Sequence, residues 1–199
     1  MCSIFGSYNV AEFNELANLN SHRGQHSFST ATYDGEVLDV IEKSLGKFKS
    51  QELDTGNLYI GHVQSPTTNA RSIASVHPSV IDGTLLWHNG IIKETQMRKW
   101  NYHDKWDTAC LHKYISSGLD KLGDVDGSFA CVYYKEGKLY IWRNENCPMF
   151  VNGSSFSSVK FKNAVRIEAN IVYKLDGKNW VKTDKAFTTK NTFYWSPAA

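Results

Sequence analysis

Apolar and polar positions alternate along the chain with two different periods, and the period changes mark the elements. Cys2 to Tyr8 is a short, mostly apolar run that predicts a strand. Ala11 to Leu19 shifts to helical spacing, with Phe13, Leu16 and Leu19 on one face, and Ser27 to Tyr33 returns to strand character. The linking segment is Asn20-Ser21-His22-Arg23-Gly24. Leu58 to Val63 and Thr84 to His88 are further strand candidates. Lys93 to Trp100 and Asp107 to Leu119 have helical spacing, the second opening on Asp107-Thr108 as an expected N-cap. Ser128 to Tyr134 and Lys138 to Arg143 flank Lys135-Glu136-Gly137, which predicts a hairpin. Phe150 to Trp180 continues as strands, with Asp176-Gly177 at a tight turn. Strands, then two helices, then strands again predict an α+β fold in which helices gather beside antiparallel sheets. No repeat, low-complexity tract or linker interrupts 1–199, which reads as a single domain.

Composition narrows the class. The chain has 199 residues, of which 41% are hydrophobic and 13% aromatic. A single core of that size buries roughly 70% of the surface of the unfolded chain and needs no structural metal or disulfide. No apolar run approaches the roughly 18 residues of a membrane span, and Met1 to Ala11 has no targeting pattern, so a cytoplasmic protein without membrane contact is expected. The net charge of +2 hides an asymmetry: 14 basic and 17 acidic groups in residues 1–150, against 8 and 3 in 151–199. The lysines are dispersed and no nucleic-acid-reading signature accompanies them, so a solvated sheet is expected in place of a nucleic-acid surface. Four cysteines, at 2, 110, 131 and 147, form no C-x-x-C pair. Three sit in helix or strand patterns as small apolar residues do. Cys2 is the exception.

A small second residue lets an aminopeptidase remove Met1, which would leave Cys2 with both a thiol and a free α-amine. A thiol titrates near pH 8.5 and an α-amine near 7.7 to 8.0, so the amine can act as base for its own side chain. By position alone Cys2 could equally be an ordinary strand residue. The segment Trp87-His88-Asn89-Gly90-Ile91-Ile92 reads as a strand ending in an Asn-Gly turn before a helix. Such a turn can be structural only, or it can offer a side-chain amide and a backbone N–H to an oxyanion. A metal site from His62, His77 and His88 lacks any H-x-x-x-H or H-E-x-x-H spacing. Ser/His/Asp catalysis lacks a G-x-S-x-G elbow.

Set beside His22-Arg23-Gly24 and Gly61-His62-Val63-Gln64-Ser65-Pro66-Thr67, these segments resemble class II glutamine amidotransferase domains. Met1-Cys2-Ser3-Ile4-Phe5-Gly6 is similar to the start of asparagine synthetases. His88-Asn89-Gly90-Ile91-Ile92 is similar to a segment of glucosamine-phosphate synthases. The likeness runs from Cys2 to about Phe150 and includes His77-Pro78, Trp106-Asp107-Thr108 and Gly127-Ser128-Phe129-Ala130, while 151–199 match weakly. The resemblance implies an N-terminal nucleophile hydrolase fold, a four-layer αββα sandwich with two antiparallel sheets. It implies that Cys2 attacks the side-chain amide of glutamine and forms a thioester, and that Asn89 and Gly90 stabilise the oxyanion. Arg23 and Gly24 would form a loop beside the nucleophile. Asp107 would hold the substrate α-ammonium, with Thr67 and His77 helping at its α-carboxylate end. No cofactor is implied. Without the family order, Asp107 reads as a helix cap, His77 as a residue before a turn, and Thr67 and Arg23 as loop groups.

The chain departs from the resemblance at Gln64, where most of these domains place an arginine against the substrate carboxylate, and at Ser29, where they usually have glycine. Replacing a guanidinium by a neutral amide could weaken carboxylate binding by about 1.5 to 3 kcal/mol. Three functions therefore stand open: a glutaminase whose charge comes from elsewhere, for instance Arg71; an N-terminal-cysteine hydrolase of another amide such as a γ-glutamyl compound; and a non-catalytic subunit that binds a metabolite or partner. Retention of nucleophile and oxyanion groups favours the first two. No acceptor domain is recognisable, so ammonia is expected to pass to a separate synthetase or acceptor subunit, with the basic C-terminal stretch as one docking face, or to be simply released.

Overall fold

The computed structural model describes residues 2–65, 71–102 and 106–189. Two antiparallel sheets lie face to face. The first holds β1 (Cys2–Ser7), β2 (Ser27–Tyr33), β3 (Leu38–Leu45), β4 (Leu58–Gln64), β9 (Phe150–Asn152), β10 (Ser155–Ser157) and β11 (Val165–Arg166), in the order β11-β9-β10-β1-β4-β2-β3. The second holds β5 (Ser79–Ile81), β6 (Thr84–Ile92), β7 (Gly127–Lys135), β8 (Lys138–Arg143), β12 (Ile171–Asp176) and β13 (Asn179–Ala186), in the order β13-β12-β8-β7-β6-β5. Helix α1 (Val10–Asn20) covers the outer face of the first sheet; α2 (Glu94–Lys99) and α3 (Asp107–Ile115) lie on the second.

Side-chain alternation builds the layers. Ile4, Ala31, Leu58 and Ile60 of the first sheet meet Leu85, Trp87, Val132 and Ile141 of the second in the central core. The intervening positions turn outward: Phe5, Phe28, Tyr59 and Val63 pack on Phe13, Leu16 and Ala17 of α1, and Leu86, Phe129, Cys131 and Tyr133 pack on Cys110, Leu111 and Ile115 of α3. This is an αββα sandwich with two antiparallel sheets, the arrangement that the resemblance implies. β1 has a paired strand on each edge and a layer on each face, so all six of its residues are buried. That is why its sequence is uniformly small or apolar and does not alternate.

Local side-chain and turn chemistry sets two of the element ends, the second of them as expected. The Asn9 side chain accepts from Glu12 N at 2.9 Å and caps α1. Glu136 and Gly137 both have positive φ (49° and 71°), closing a two-residue turn between paired Lys135 and Lys138. Other expectations need correction. Leu19, expected on the inner face of α1 with Phe13 and Leu16, is exposed, and Ala17 fills that face in its place, because Ala17 shares the i, i+3, i+4 spacing of Phe13 and Leu16 while Leu19 falls to its side. β6 does not end at His88 in an Asn-Gly turn but runs through Asn89 and Gly90 to Ile92, because β7 pairs with it over its whole length. The N-cap of α3 is Trp106; Asp107 is already helical, and α3 stops at Ile115, ahead of a 3-10 segment at Leu119–Asp124. β3 and β5 had no clear sequence signal. In β3 a bulge inserts Ile41 between Val40, paired with Ala31, and Glu42, paired with Thr30, and so breaks the alternation. β5 has three residues, too few to show a period.

Candidate active site

The site forms where the start of β1 meets the end of β4. Cys2 and Gln64 are direct cross-strand partners, so their side chains share the face that points between the sheets. The Cys2 thiol is buried and lies 3.8 Å from the carbonyl oxygen of Ser65. Arg23 Nε donates to the Cys2 carbonyl at 3.1 Å, fixing the strand end from the loop after α1. Gly24 lies against β4: a Cβ there would stand 2.3 Å from Gln64 N, so only glycine lets this loop close on the strand. The structure thus joins Cys2, Arg23, Gly24 and Gln64.

Burial is the largest influence on the thiol and pushes Cys2 up to about 12; the Asp107 carboxylate pushes the same way, while the chain N-terminus and Arg23 oppose. The thiol is therefore protonated at neutral pH in this state, and to act as a nucleophile it would need a base to take its proton.

Gln64 is held on both sides of its amide. Its Nε2 donates to the Ser75 carbonyl at 3.2 Å, which leaves Oε1 to accept from His77 Nδ1 at 3.0 Å. With its Nδ1 protonated, the neutral His77 ring accepts at Nε2 from the Thr108 hydroxyl, 3.0 Å away. Thr108 Oγ1 is also 3.2 Å from His88 Nδ1, whose ring reaches within 3.4 Å of the Ser128 carbonyl. His62 lies against His77, ring centroids 3.9 Å apart. All three histidines are buried, and desolvation lowers each: His62 to about 3, His77 well below the usual histidine range, and His88 in the same direction with Asp107 partly opposing. Two of these rings lie against each other at a tilt of 33° and the third is joined through a threonine, an arrangement that does not converge on one point. Among the described residues no group of histidine, cysteine or acidic side chains could hold a metal ion.

Asp107 sits at the first turn of α3, where Oδ1 accepts from Thr108 N at 2.9 Å and Oδ2 from Ile92 N at 3.1 Å. The carboxylate thereby pins the helix start to the end of β6. Asn89 points inward from β6 toward the first sheet, where its Nδ2 donates to Ser158 Oγ at 3.3 Å, and its carbonyl accepts from Cys147 Sγ at 3.3 Å. Gly90 has φ 151°, and a Cβ there would be 1.9 Å from the Ser128 carbonyl oxygen. No side chain other than hydrogen fits that backbone.

Thr67 lies outside the described residues. Arg71 is exposed. Ser29 is buried opposite His62 in the β2–β4 ladder. Of the described basic residues after 150, Lys160, Lys162, Arg166, Lys178, Lys182 and Lys185 are exposed, and Lys182 pairs with Glu168. Three groups take parts that the sequence reading does not give them, His62 being considered there only as a metal ligand and Thr108 only in a helix cap. Thr108 and His62 stand inside the quoted motifs, next to or among the residues singled out, and only the chain of contacts reveals their part. Ser158 falls in the weakly matching segment and carries no sequence signal.

No family model matches the chain. It is 24% identical over 151 residues to a glutamine–fructose-6-phosphate aminotransferase of Xylella fastidiosa, covering 64% of this chain and 25% of that protein. It is 28% identical over 147 residues to an amidophosphoribosyltransferase of Methanocaldococcus jannaschii, covering 62% of this chain and 31% of that one. The chain thus spans a quarter to a third of the length of these relatives. Among solved structures, the glutamine phosphoribosylpyrophosphate amidotransferase of B. subtilis superposes with a TM-score of 0.63 at 19% identity over 92% of this chain and 49% of that one. An allosteric regulatory enzyme of purine biosynthesis gives 0.65 at 20% identity, over 92% and 48%. The fold is that of the N-terminal nucleophile hydrolases, and in sequence and architecture the chain is similar to class II glutamine amidotransferase domains.

Proposed function

We propose that this chain is a glutaminase-type amidohydrolase in which Cys2, freed of Met1, attacks the side-chain amide of glutamine or of a closely related amide. The observation that carries the reading is the assembly around the end of β1: Cys2 beside Gln64 in register, Arg23 on the Cys2 carbonyl, Gly24 closed on β4, and Asn89 reaching across from the facing sheet. The free α-amine takes the thiol proton as sulfur adds to the amide carbon. Asn89 Nδ2 and the Gly90 N–H stabilise the negative oxygen of the tetrahedral adduct. Collapse breaks the C–N bond, the ammonium of Cys2 returns its proton to the leaving nitrogen, and ammonia departs to leave a thioester. Water then hydrolyses the thioester and regenerates the thiol. Asp107 would receive a substrate ammonium through lone pairs not taken by Thr108 N and Ile92 N. His77 and Thr67 would serve the other end of the substrate. Use of the ammonia needs an acceptor, a role we give to a separate acceptor subunit; purification from its native cell as free monomer alone would argue for a plain hydrolase.

One observation favours a second reading of the substrate. Gln64 is neutral, and both ends of its amide are engaged by Ser75 and His77, so it presents no cation to a free carboxylate. A γ-glutamyl amide whose α-carboxylate is masked fits that surface better than glutamine itself. Intact mass after stoichiometric exposure to diazo-oxo-norleucine tests the function. A chain lacking Met1 and carrying one adduct, absent in Cys2→Ala, is the expected result, together with loss of turnover in that variant. A processed chain that resists this reagent yet is alkylated at Cys2 by a general thiol reagent would point to the masked amide. Unchanged turnover in Cys2→Ala would refute the mechanism.

A further inference from the structure

We propose that Ser158 is a positioning residue that aims the Asn89 amide at the oxyanion, an inference resting on the Cys2 hydrolase reading above. Ser158 follows β10 and is buried between the sheets. It grips β1 twice at one residue: its N–H donates to the Ile4 carbonyl at 2.9 Å, and its Oγ accepts from Ile4 N at 3.0 Å. The same Oγ accepts from Asn89 Nδ2 at 3.3 Å. One hydroxyl therefore ties the nucleophile's strand, two residues from Cys2, to the side chain that reaches from the opposite sheet.

The chemistry follows from the shape of an amide. Its NH2 is planar, so directing one N–H at Ser158 sets the direction of the other, which remains free to donate. In this arrangement Ser158 Oγ accepts from both Ile4 N and Asn89 Nδ2, which occupies its two lone pairs and keeps the nitrogen end of the Asn89 amide on the hydroxyl. An amide turned the other way would point a carbonyl oxygen toward the developing negative charge. Cys147 Sγ, donating to the Asn89 carbonyl, holds the backbone end of the same residue. Stabilisation of an oxyanion depends on donors that are oriented before charge develops, and a preorganised donor of this kind is worth roughly 10² to 10³ in kcat.

The test measures release of ammonia from glutamine and of p-nitroaniline from γ-glutamyl-p-nitroanilide by the Met1-processed protein and four variants. Ser158→Ala is expected to lower kcat by about tenfold to hundredfold with KM changed less than about twofold, and Ser158→Thr, which keeps the hydroxyl, to recover most of the loss. Asn89→Ala is expected to lose about 10² to 10³ in kcat, and Ser158→Ala added to Asn89→Ala to lose nothing further. A purely structural role, through the Ile4 N–H that Ser158→Ala also strands, would appear as a loss that persists in the Asn89→Ala background. That additive outcome, or a Ser158→Ala enzyme with wild-type kcat, overturns the inference while leaving the hydrolase reading standing. A parent protein that cleaves neither of these substrates, nor γ-glutamyl-p-nitroanilide with its α-carboxylate masked as an ester, overturns both.

Discussion

Gly90 offers the sharpest quantitative test of how the site is built, because Gly90→Ala and Gly35→Ala share one cost and differ in another. Both glycines have φ in the left-handed half of the map, 151° for Gly90 and 114° for Gly35, so alanine strains the backbone by roughly 1 to 2 kcal/mol at either place. Around Gly35 nothing lies within 4 Å of a new Cβ. At Gly90 the Cβ would fall 1.9 Å from the Ser128 carbonyl oxygen and 2.6 Å from its carbon. These are ladder atoms of β7, which cannot turn aside as a side chain can. The methyl must push β6 away from its neighbour, and overpacking of this kind costs typically about 1 to 3 kcal/mol more. Urea denaturation followed by tryptophan fluorescence should therefore show Gly90→Ala less stable than Gly35→Ala by that margin, with unchanged m values. A thermal midpoint lower by about 2 to 4 °C per kcal/mol is the matching calorimetric result. Equal midpoints for the two variants would refute the claim that β6 and β7 close on each other at Gly90, and with it the reason for glycine beside Asn89.

Acid should destabilise the protein through its buried histidines. Their folded pKa values lie below the unfolded value near 6.5, so the unfolded chain binds more protons and stability, complete above about pH 6.5, falls as pH drops toward the folded values. For His62, at about 3, the loss at pH 5 is about 2 kcal/mol; His62→Gln should flatten urea midpoints between pH 7 and 5, and an identical pH slope in the variant would contradict the assignment. Gln64→Arg should lower KM for glutamine by about tenfold to hundredfold if a free carboxylate binds there, whereas an unchanged or higher KM in a folded variant would argue that the pocket serves a masked amide. Asp107→Asn keeps a side-chain oxygen for the Ile92 N–H but loses the charge, so KM should rise for a substrate with a free α-ammonium and not for its N-acetyl analogue. A rise of equal size for both would reduce Asp107 to a structural tie.

Local order of residues was enough to read an α+β chain, the hairpin at Glu136-Gly137 and the inward placing of Phe13 and Leu16 on α1, while the αββα sandwich and the candidacy of Cys2, Asn89 and Gly90 came with the family resemblance of short motifs. These features rest on periodicity, turn chemistry and short motifs, which are properties of neighbouring positions. What depends on distant partners was not legible. The Asn89-Gly90 pair looks like a turn because that is its local preference, and only β7 pairing along the full length of β6 keeps it extended. The bulge at Ile41 hides β3 for the same reason, since a register shift is defined by the strand opposite. Gln64 reads as a lone substitution until register sets it beside Cys2 and Ser75 and His77 take up its amide. Thr108 becomes a link only when α3 is laid on the second sheet, and Ser158, 69 positions from Asn89, meets it only because the two sheets close face to face. Sequence by itself determined which groups could carry chemistry; the tertiary structure decided which of them touch, because hydrogen bonds between buried groups are made by whichever strands the fold brings together.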